Sequence, residues 1–301
     1  MKQKVGIIGL GIMGSAMSAN LLKAGFQVTG YDIVPERVKA LVEKNGVAAT
    51  SCKEVAQKTD VVITSLPSNE ALHEVVLGKD SLSEAGKSGL VVVETSTLTL
   101  EAKNEAYEAL KRAGVEMLDC PLSGTGAQAA RRDIVVYASG TRKVCEDCGS
   151  VFDGIARANY YVGEFGMGTK MKFVANLLVT IHNASAAEAF VLGMKAGLDP
   201  ELIYNVISDS AGSSRMFEVR GPLMVNASYD QPTMKVELHQ KDIKIISAFA
   251  KELHCPTPLL STSAQLYTSA LAHGWAKRDT ASICAVMEKM AGFERKKDGT
   301  R

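Results

Sequence analysis

The chain has almost no net charge: 34 Lys and Arg stand against 33 Asp and Glu, a formal +1. Bulk electrostatics therefore give no drive toward nucleic acid or an anionic membrane. No uninterrupted apolar stretch reaches the ~20 residues that a membrane span needs. The N-terminus places lysines ahead of the apolar run Val5–Ile8, but glycines break that run within a few residues and no cleavage-type segment follows. Internal repeats and low-complexity tracts are also lacking. The six cysteines (52, 120, 145, 148, 255 and 284) lack the framework of a secreted disulfide domain, so reduced thiols and a cytoplasmic location are expected. Cys145 and Cys148 form a lone CxxC. With no second pair and no histidines at ligand spacing, no metal is expected, and the pair reads as a chance one on a helix surface.

What is present is ordinary in bulk and specific in detail. A length of 301 residues suggests two domains. Val5–Ile8 is a short apolar strand, followed by Gly9-x-Gly11-x-x-Gly14 and then a helical pattern through Met17 and Leu21. One glycine allows the tight turn, the next lets backbone approach a pyrophosphate, and the third lets helix and strand pack closely. The helix start, at Ile12 and Met13, offers free N–H groups and a positive dipole end to that pyrophosphate. A second strand, Val28–Tyr31, ends at Asp32, near the distance expected for the acid that holds the adenosine ribose. A carboxylate there repels a 2′-phosphate, which favours NAD over NADP, although Arg37 nearby leaves NADP possible. The plainer reading of Asp32 is a turn aspartate ahead of Pro35.

Strand and helix keep alternating. Val61–Ser65 stops at Leu66-Pro67, and Leu90–Glu94 stops at Thr95-Ser96, with helical stretches over Glu36–Lys44 and Glu101–Ala113. That alternation implies a parallel sheet covered on both faces, with ligand beyond the carboxyl ends of its strands. Leu66, Pro67, Thr95 and Ser96 are placed there, beside the cofactor, unless they are simple strand-end turns. A strand from Glu116 leads to the small-residue loop Ser123-Gly124-Thr125, which can present hydroxyls and bare N–H groups to a carboxylate. Ile134–Ser139 and Tyr160–Val162 read as further strands that close the first domain near residue 163.

From Thr169 onward the pattern is helical. Phe173, Val174, Leu177, Leu178 and Ile181 form an apolar stripe, while Lys172, Asn176 and Asn183 share another face at steps of four and seven. Lys170 falls with Phe173 and Val174, so Lys172 is the lysine aligned with the polar stripe. Further helices are expected at Ala184–Gly197, Pro200–Ser208, Met216–Met224, Lys235–Leu253, Leu259–Gly274 and Thr280–Met290, with Gly197 and Gly274 as stops. Lys241-Asp242 reads as surface decoration on a long amphipathic run, and the charged tail Glu294–Arg301 as frayed. The expected fold is α/β plus all-α: a Rossmann-like dinucleotide-binding domain over 1–163, joined by a long helix to a helical domain over 164–301.

These motifs in this order resemble the β-hydroxyacid dehydrogenase family, which includes 3-hydroxyisobutyrate dehydrogenase and tartronate semialdehyde reductase. The likeness covers nearly the whole chain. Its cofactor motif is met by Gly9, Gly11 and Gly14, and its substrate loop by Asp119, Pro121, Ser123 and Gly124. Its Gly-x-Gly-x-x-x-Lys-x-x-x-Asn motif is met by Gly166, Gly168, Lys172 and Asn176, and its late Lys-Asp by Lys241-Asp242. The resemblance implies hydride transfer between NAD(P) and a small anionic hydroxyacid or semialdehyde. Lys172 would be the general acid/base. Asn176, Ser123, Gly124, Thr125 and Lys241 would hold the substrate, Lys241 also lying near the nicotinamide. A homodimer or homotetramer is expected. Thr125 departs from the family pattern, where a second glycine stands, and Arg131-Arg132 after the loop either extend an anion site or are simply exposed. A reductase of aldehydes or imines on the same scaffold is the alternative chemistry, and a non-catalytic dinucleotide sensor the alternative class.

Overall fold

The computed structural model describes residues 3–295. The first part of the chain builds β1 (Lys4–Ile8), α1 (Ile12–Lys23), β2 (Gln27–Tyr31), α2 (Pro35–Val42), β3 (Val47–Ala48), α3 (Cys52–Lys58) and β4 (Val61–Thr64). It continues with α4 (Asn69–Leu77), β5 (Val91–Glu94), α5 (Leu100–Arg112), β6 (Glu116–Asp119) and β7 (Leu122–Ser123). Then come α6 (Gly126–Ala130), β8 (Val135–Ser139), α7 (Arg142–Asp147), α8 (Gly149–Ile155) and β9 (Ala158–Gly163). The rest is helical: α9 (Met167–Lys195), α10 (Pro200–Ser208), α11 (Arg215–Val225), α12 (Val236–Glu252), α13 (Pro258–Ala272) and α14 (Ile283–Met290).

The strands form one sheet in the order β3-β2-β1-β4-β5-β6-β8-β7, with β9 paired to β8. From β3 to β6 every pairing is parallel. Period-two alternation splits the apolar side chains between the two faces. Val5, Ile7, Val61, Ile63 and Val93 join Met17 and Leu21 of α1 and Phe152 of α8 in one core. Ile8, Val62, Val92 and Met117 join Val55 of α3, Leu72 of α4 and Leu110 of α5 in the other. This is the parallel, doubly covered sheet that the alternating apolar runs imply. At the far edge β8 runs antiparallel to β6 and β7, a reversal that strand composition does not signal. The order of the sheet reverses at β1, between β2 and β4, and such a switch point opens a crevice at the strands' carboxyl ends.

Two compact units are distinguished, Met1–Lys172 and Phe173–Arg301. The second is built of helices only among its described residues, α12 packing on α13 and α10 on α11. Phe190 stacks on Phe217 at 5.1 Å between ring centres, and the buried Arg220 guanidinium meets both oxygens of Asp279 at 2.7 and 2.8 Å. α9 is one continuous helix of 29 residues, so the separate helix expected over Ala184–Gly197 is its second half. Its apolar stripe is not the buried face throughout: Val174 and Leu178 are exposed, whereas Lys172, Asn176, Thr180 and Asn183 are buried. Polar side chains can face inward there because their donors find partners, although Asn183 Oδ1 has none. Thr180 Oγ1 donates to Asn176 O, and Asn183 Nδ2 donates to Tyr267 Oη and Thr280 O. α9 is also, among the described residues, the one helix long and apolar enough to cross a membrane, but half of its most apolar window is buried within the protein. Gly197 and Gly274 take positive φ, +91° and +75°, and end α9 and α13 as expected. Residues 296–301 of the expected frayed tail lie outside the described residues. Arg295 is anchored on Glu288 Oε1 and the Met224 and Val225 carbonyls.

Candidate active site

The glycine loop is shaped by contacts that a side chain would destroy. A Cβ on Gly14 would sit 1.9 Å from Gly9 O, and one on Gly9 (φ +89°) would sit 2.3 Å from Ser65 O. Gly11 differs, because nothing lies within 4 Å of its Cβ position. It is the N-cap of α1 and offers no side-chain acceptor. The first amides of α1, at Ile12 and Met13, thus lack a capping side chain, and the loop is open where a pyrophosphate would approach. The residues present fit a dinucleotide.

Asp32 closes the other side of this loop. Its Oδ2 accepts the Leu10 N–H at 2.7 Å, its Oδ1 accepts the Val34 N–H at 2.8 Å, and Arg37 Nη1 lies 3.2 Å from Oδ2. The carboxylate is therefore a clamp between the glycine loop and the end of β2, a structural duty that the motif reading did not include. The hydroxyls of Thr95 and Ser96 are likewise engaged inside the sheet. Thr95 Oγ1 donates to Thr64 O at 2.6 Å, and Ser96 Oγ accepts the Leu66 N–H at 2.8 Å. Leu66 is half-buried and Pro67 exposed just past β4.

The substrate loop follows β6. Ser123 ends β7, and Gly124 holds φ +141°, where an added Cβ would meet Ile134 Cγ2 at 2.5 Å. Thr125 has a local explanation. It is the N-cap of α6, in a capping box with Gln128, whose N–H it accepts and whose side chain accepts the Thr125 N–H at 3.0 Å. Asn20 of α1 donates to Ala129 O at 2.7 Å and so ties α6 to the helix of the glycine loop. The arginines that follow do not both point at solvent freely, since Arg132 Nη2 donates to Asp153 O at 2.7 Å.

Lys172, in the second turn of α9, donates from Nζ to Leu122 O at 2.6 Å, one residue from Ser123. Asn176 is one turn further along the same face. Its Nδ2 donates to Asp242 Oδ2 at 3.0 Å, which turns Oδ1 away from that carboxylate. Lys241 Nζ lies 3.6 Å from Asp242 Oδ1. Asp242 is buried, so the Lys-Asp pair is not mere surface decoration.

Cys145 and Cys148 are buried rather than on a helix surface, and burial pushes their thiols up to about 11 and about 12. Among the described residues no group of three or more His, Cys, Asp or Glu could hold a metal ion.

Comparison with known proteins identifies the family. Residues 4–163 match the NAD-binding domain of 6-phosphogluconate dehydrogenase, and residues 166–287 match the NAD-binding domain of NADP-dependent 3-hydroxyisobutyrate dehydrogenase. An L-threonate dehydrogenase of Cupriavidus necator is 32% identical over 287 residues, 95% of this chain and 96% of its own. The chain belongs to the β-hydroxyacid dehydrogenase family. Within it, the 2-(hydroxymethyl)glutarate dehydrogenase of Eubacterium barkeri is also 32% identical, over 96% of both chains. The crystal structure of 3-hydroxyisobutyrate dehydrogenase from Salmonella typhimurium superposes with a TM-score of 0.86 at 31% identity, covering 95% of this chain and 100% of that one. Like its family, this chain is a nicotinamide-dependent oxidoreductase. An imine reductase from Myxococcus stipitatus shares the fold, with a TM-score of 0.63 at 16% identity.

Proposed function

We propose that this chain interconverts a small β-hydroxyacid and its semialdehyde, with Lys172 as the general acid/base and NAD preferred over NADP. The observation that carries the reading is Lys172: its Nζ lies 2.6 Å from the Leu122 carbonyl, beside the Ser123 loop, with Asn176 one turn away on α9. When bound, the nicotinamide ring exchanges the hydride. In the oxidative direction the neutral Lys172 amine takes the substrate hydroxyl proton, its N–H still held by Leu122 O. In reverse, the ammonium protonates the developing alkoxide. Ser123, Gly124, Thr125, Asn176 and Lys241 are the residues proposed to hold the substrate. Gly9, Gly11, Ile12, Met13, Gly14, Asp32, Leu66, Pro67, Thr95 and Ser96 border the dinucleotide.

Relatives that oxidise L-threonate and 2-(hydroxymethyl)glutarate support a polar, carboxylate-bearing substrate. The lysine favours this chemistry over imine reduction, which has less use for it. Exposed Val174, Leu178, Leu192, Leu202 and Val206 support a homodimer or homotetramer, and six free cysteines support a cytoplasmic setting. The test is a panel of small β-hydroxyacids with NAD and NADP, scored by kcat/KM. Lys172→Ala is expected to lower kcat by about 10²–10⁴ while NADH still binds; wild-type turnover in that variant overturns the assignment.

A further inference from the structure

We propose that Lys103 is a positioning residue: beneath the strand ends it holds two carboxylates that fix the first turn of the helix carrying Lys172 and the loop bordering the cofactor crevice. The family motifs quoted above do not include it, and its side chain is wholly buried. The inference rests on the reading of Lys172 as the acid/base.

Lys103 lies on α5 with its side chain wholly buried, and so are its two partners. Its Nζ is 2.7 Å from Asp119 Oδ1, at the end of β6, and 2.8 Å from Glu94 Oε2, at the end of β5. Each carboxylate then reaches outward. Asp119 Oδ2 accepts the Thr169 N–H at 2.7 Å, and its Oδ1 accepts the Thr169 hydroxyl at 2.8 Å. Ser139 Oγ bridges the same two segments, donating to Asp119 O at 2.8 Å and accepting the Gly168 N–H at 2.9 Å. Glu94 accepts the Ser96 N–H at 3.0 Å, and Ser96 Oγ accepts the Leu66 N–H. One buried cation thus serves both the start of α9 and the Leu66–Ser96 corner. Thr169 precedes Lys172 by three residues, one turn on the same side of the helix.

The charges account for the arrangement. One lysine faces two carboxylates, and the surplus negative charge lies at the N-terminal end of a 29-residue helix, whose amides and dipole oppose it. Burial alone would push the Lys103 ammonium down, but Asp119 and Glu94 more than offset that and hold it above the usual lysine range. A buried ion pair adds little stability compared with apolar packing of equal volume. Its distinctive property is direction: two carboxylates that must be satisfied fix where Thr169 and Ser96 sit.

Two variants separate positioning from bulk stability. Lys103→Met keeps the length and removes the cation. Glu94→Gln/Lys103→Met also removes the surplus carboxylate and leaves Asp119 to the helix terminus. Amide exchange is followed by mass spectrometry, NADH binding by fluorescence, and turnover with NAD and the best acid of the panel. In Lys103→Met, exchange over residues 166–172 should rise about tenfold while that of β1 and β2 holds. A small displacement of Lys172 should lower kcat about 10–100-fold with KM changing by less than about threefold, and release of the Leu66–Ser96 corner should raise the NADH Kd about threefold or more. The double variant should regain most of both losses. Wild-type exchange at 166–172 in Lys103→Met, uniform loosening of the whole unit, or no recovery in the double variant overturns the proposal. Should Lys103→Met not fold, a folded, active double variant supports the proposal and a failed one overturns it. If the wild type turns over no acid in the panel, the proposed function fails, while the exchange comparison still decides the role of Lys103.

Discussion

Asp32 carries two loads on one carboxylate. Two of its acceptor sites hold the Leu10 and Val34 amides, and a third faces Arg37. On the proposed ribose role, a diol would share what remains, and the residue would then act on cofactor preference and on loop geometry together. Asp32→Ala leaves two N–H groups without their acceptor and should cost about 1–3 kcal/mol of folding stability. It should also weaken NADH and relax discrimination against NADPH. Urea unfolding and fluorescence titration of both nucleotides read the two effects separately, and an unchanged cofactor preference would count against the ribose role. The spacing from Gly14 to Asp32 is legible in the sequence because a βαβ unit has a fixed length. The clamp on Leu10 is not, because it depends on where the loop returns in space.

At the scale of elements, the start of α9 is tightly packed. An added Cβ on Gly168 would lie 2.5 Å from Asp119 O and 2.6 Å from Tyr137 O, both backbone atoms that cannot swing aside. Gly168→Ala should therefore cost about 1–3 kcal/mol and lower kcat as the helix is pushed off β6 and β8. Unfolding together with turnover would check it, wild-type values in both being the adverse result. α6 gives a milder case. Thr125→Ala removes an N-cap and should cost about 1 kcal/mol, whereas Thr125→Gly should cost only a few tenths. Equal losses would show that the hydroxyl is not acting as a cap. The departure from the family's glycine is thus explained by α6 itself, which is too short for its pattern to be read from the sequence.

For the whole molecule, the thiols report on folding. Cys120, Cys145, Cys148, Cys52 and Cys284 are buried and Cys255 is exposed. Burial holds Cys52, Cys148 and Cys284 near about 12 and Cys145 near about 11, against an ordinary value of 9.0. A thiol-specific reagent at pH 8 should label Cys255 alone in the native chain and all six cysteines after denaturation. More than one rapidly labelled thiol would contradict the packing. Unfolded thiols lose protons at lower pH than these folded ones, so the folded state binds more protons above about pH 9 and stability must fall as pH rises from there toward 12. A melting temperature that stays level across that range would refute the linkage.

The sequence by itself determined what is local or periodic. Turn chemistry fixed Gly9-x-Gly11-x-x-Gly14, apolar runs of strand length fixed the parallel sheet, and helical phase singled out Lys172 and Asn176. Each follows from backbone geometry within a window of a turn or a strand. Only the tertiary structure decided that the polar face of α9 is the buried one, that β8 runs against β6, and that the CxxC pair lies inside. It alone brought Lys103 to Glu94 and Asp119, and Asp119 to Thr169 fifty residues on. Burial and charge pairing over such separations depend on which surfaces the folded chain brings together, and no periodicity along the sequence encodes that.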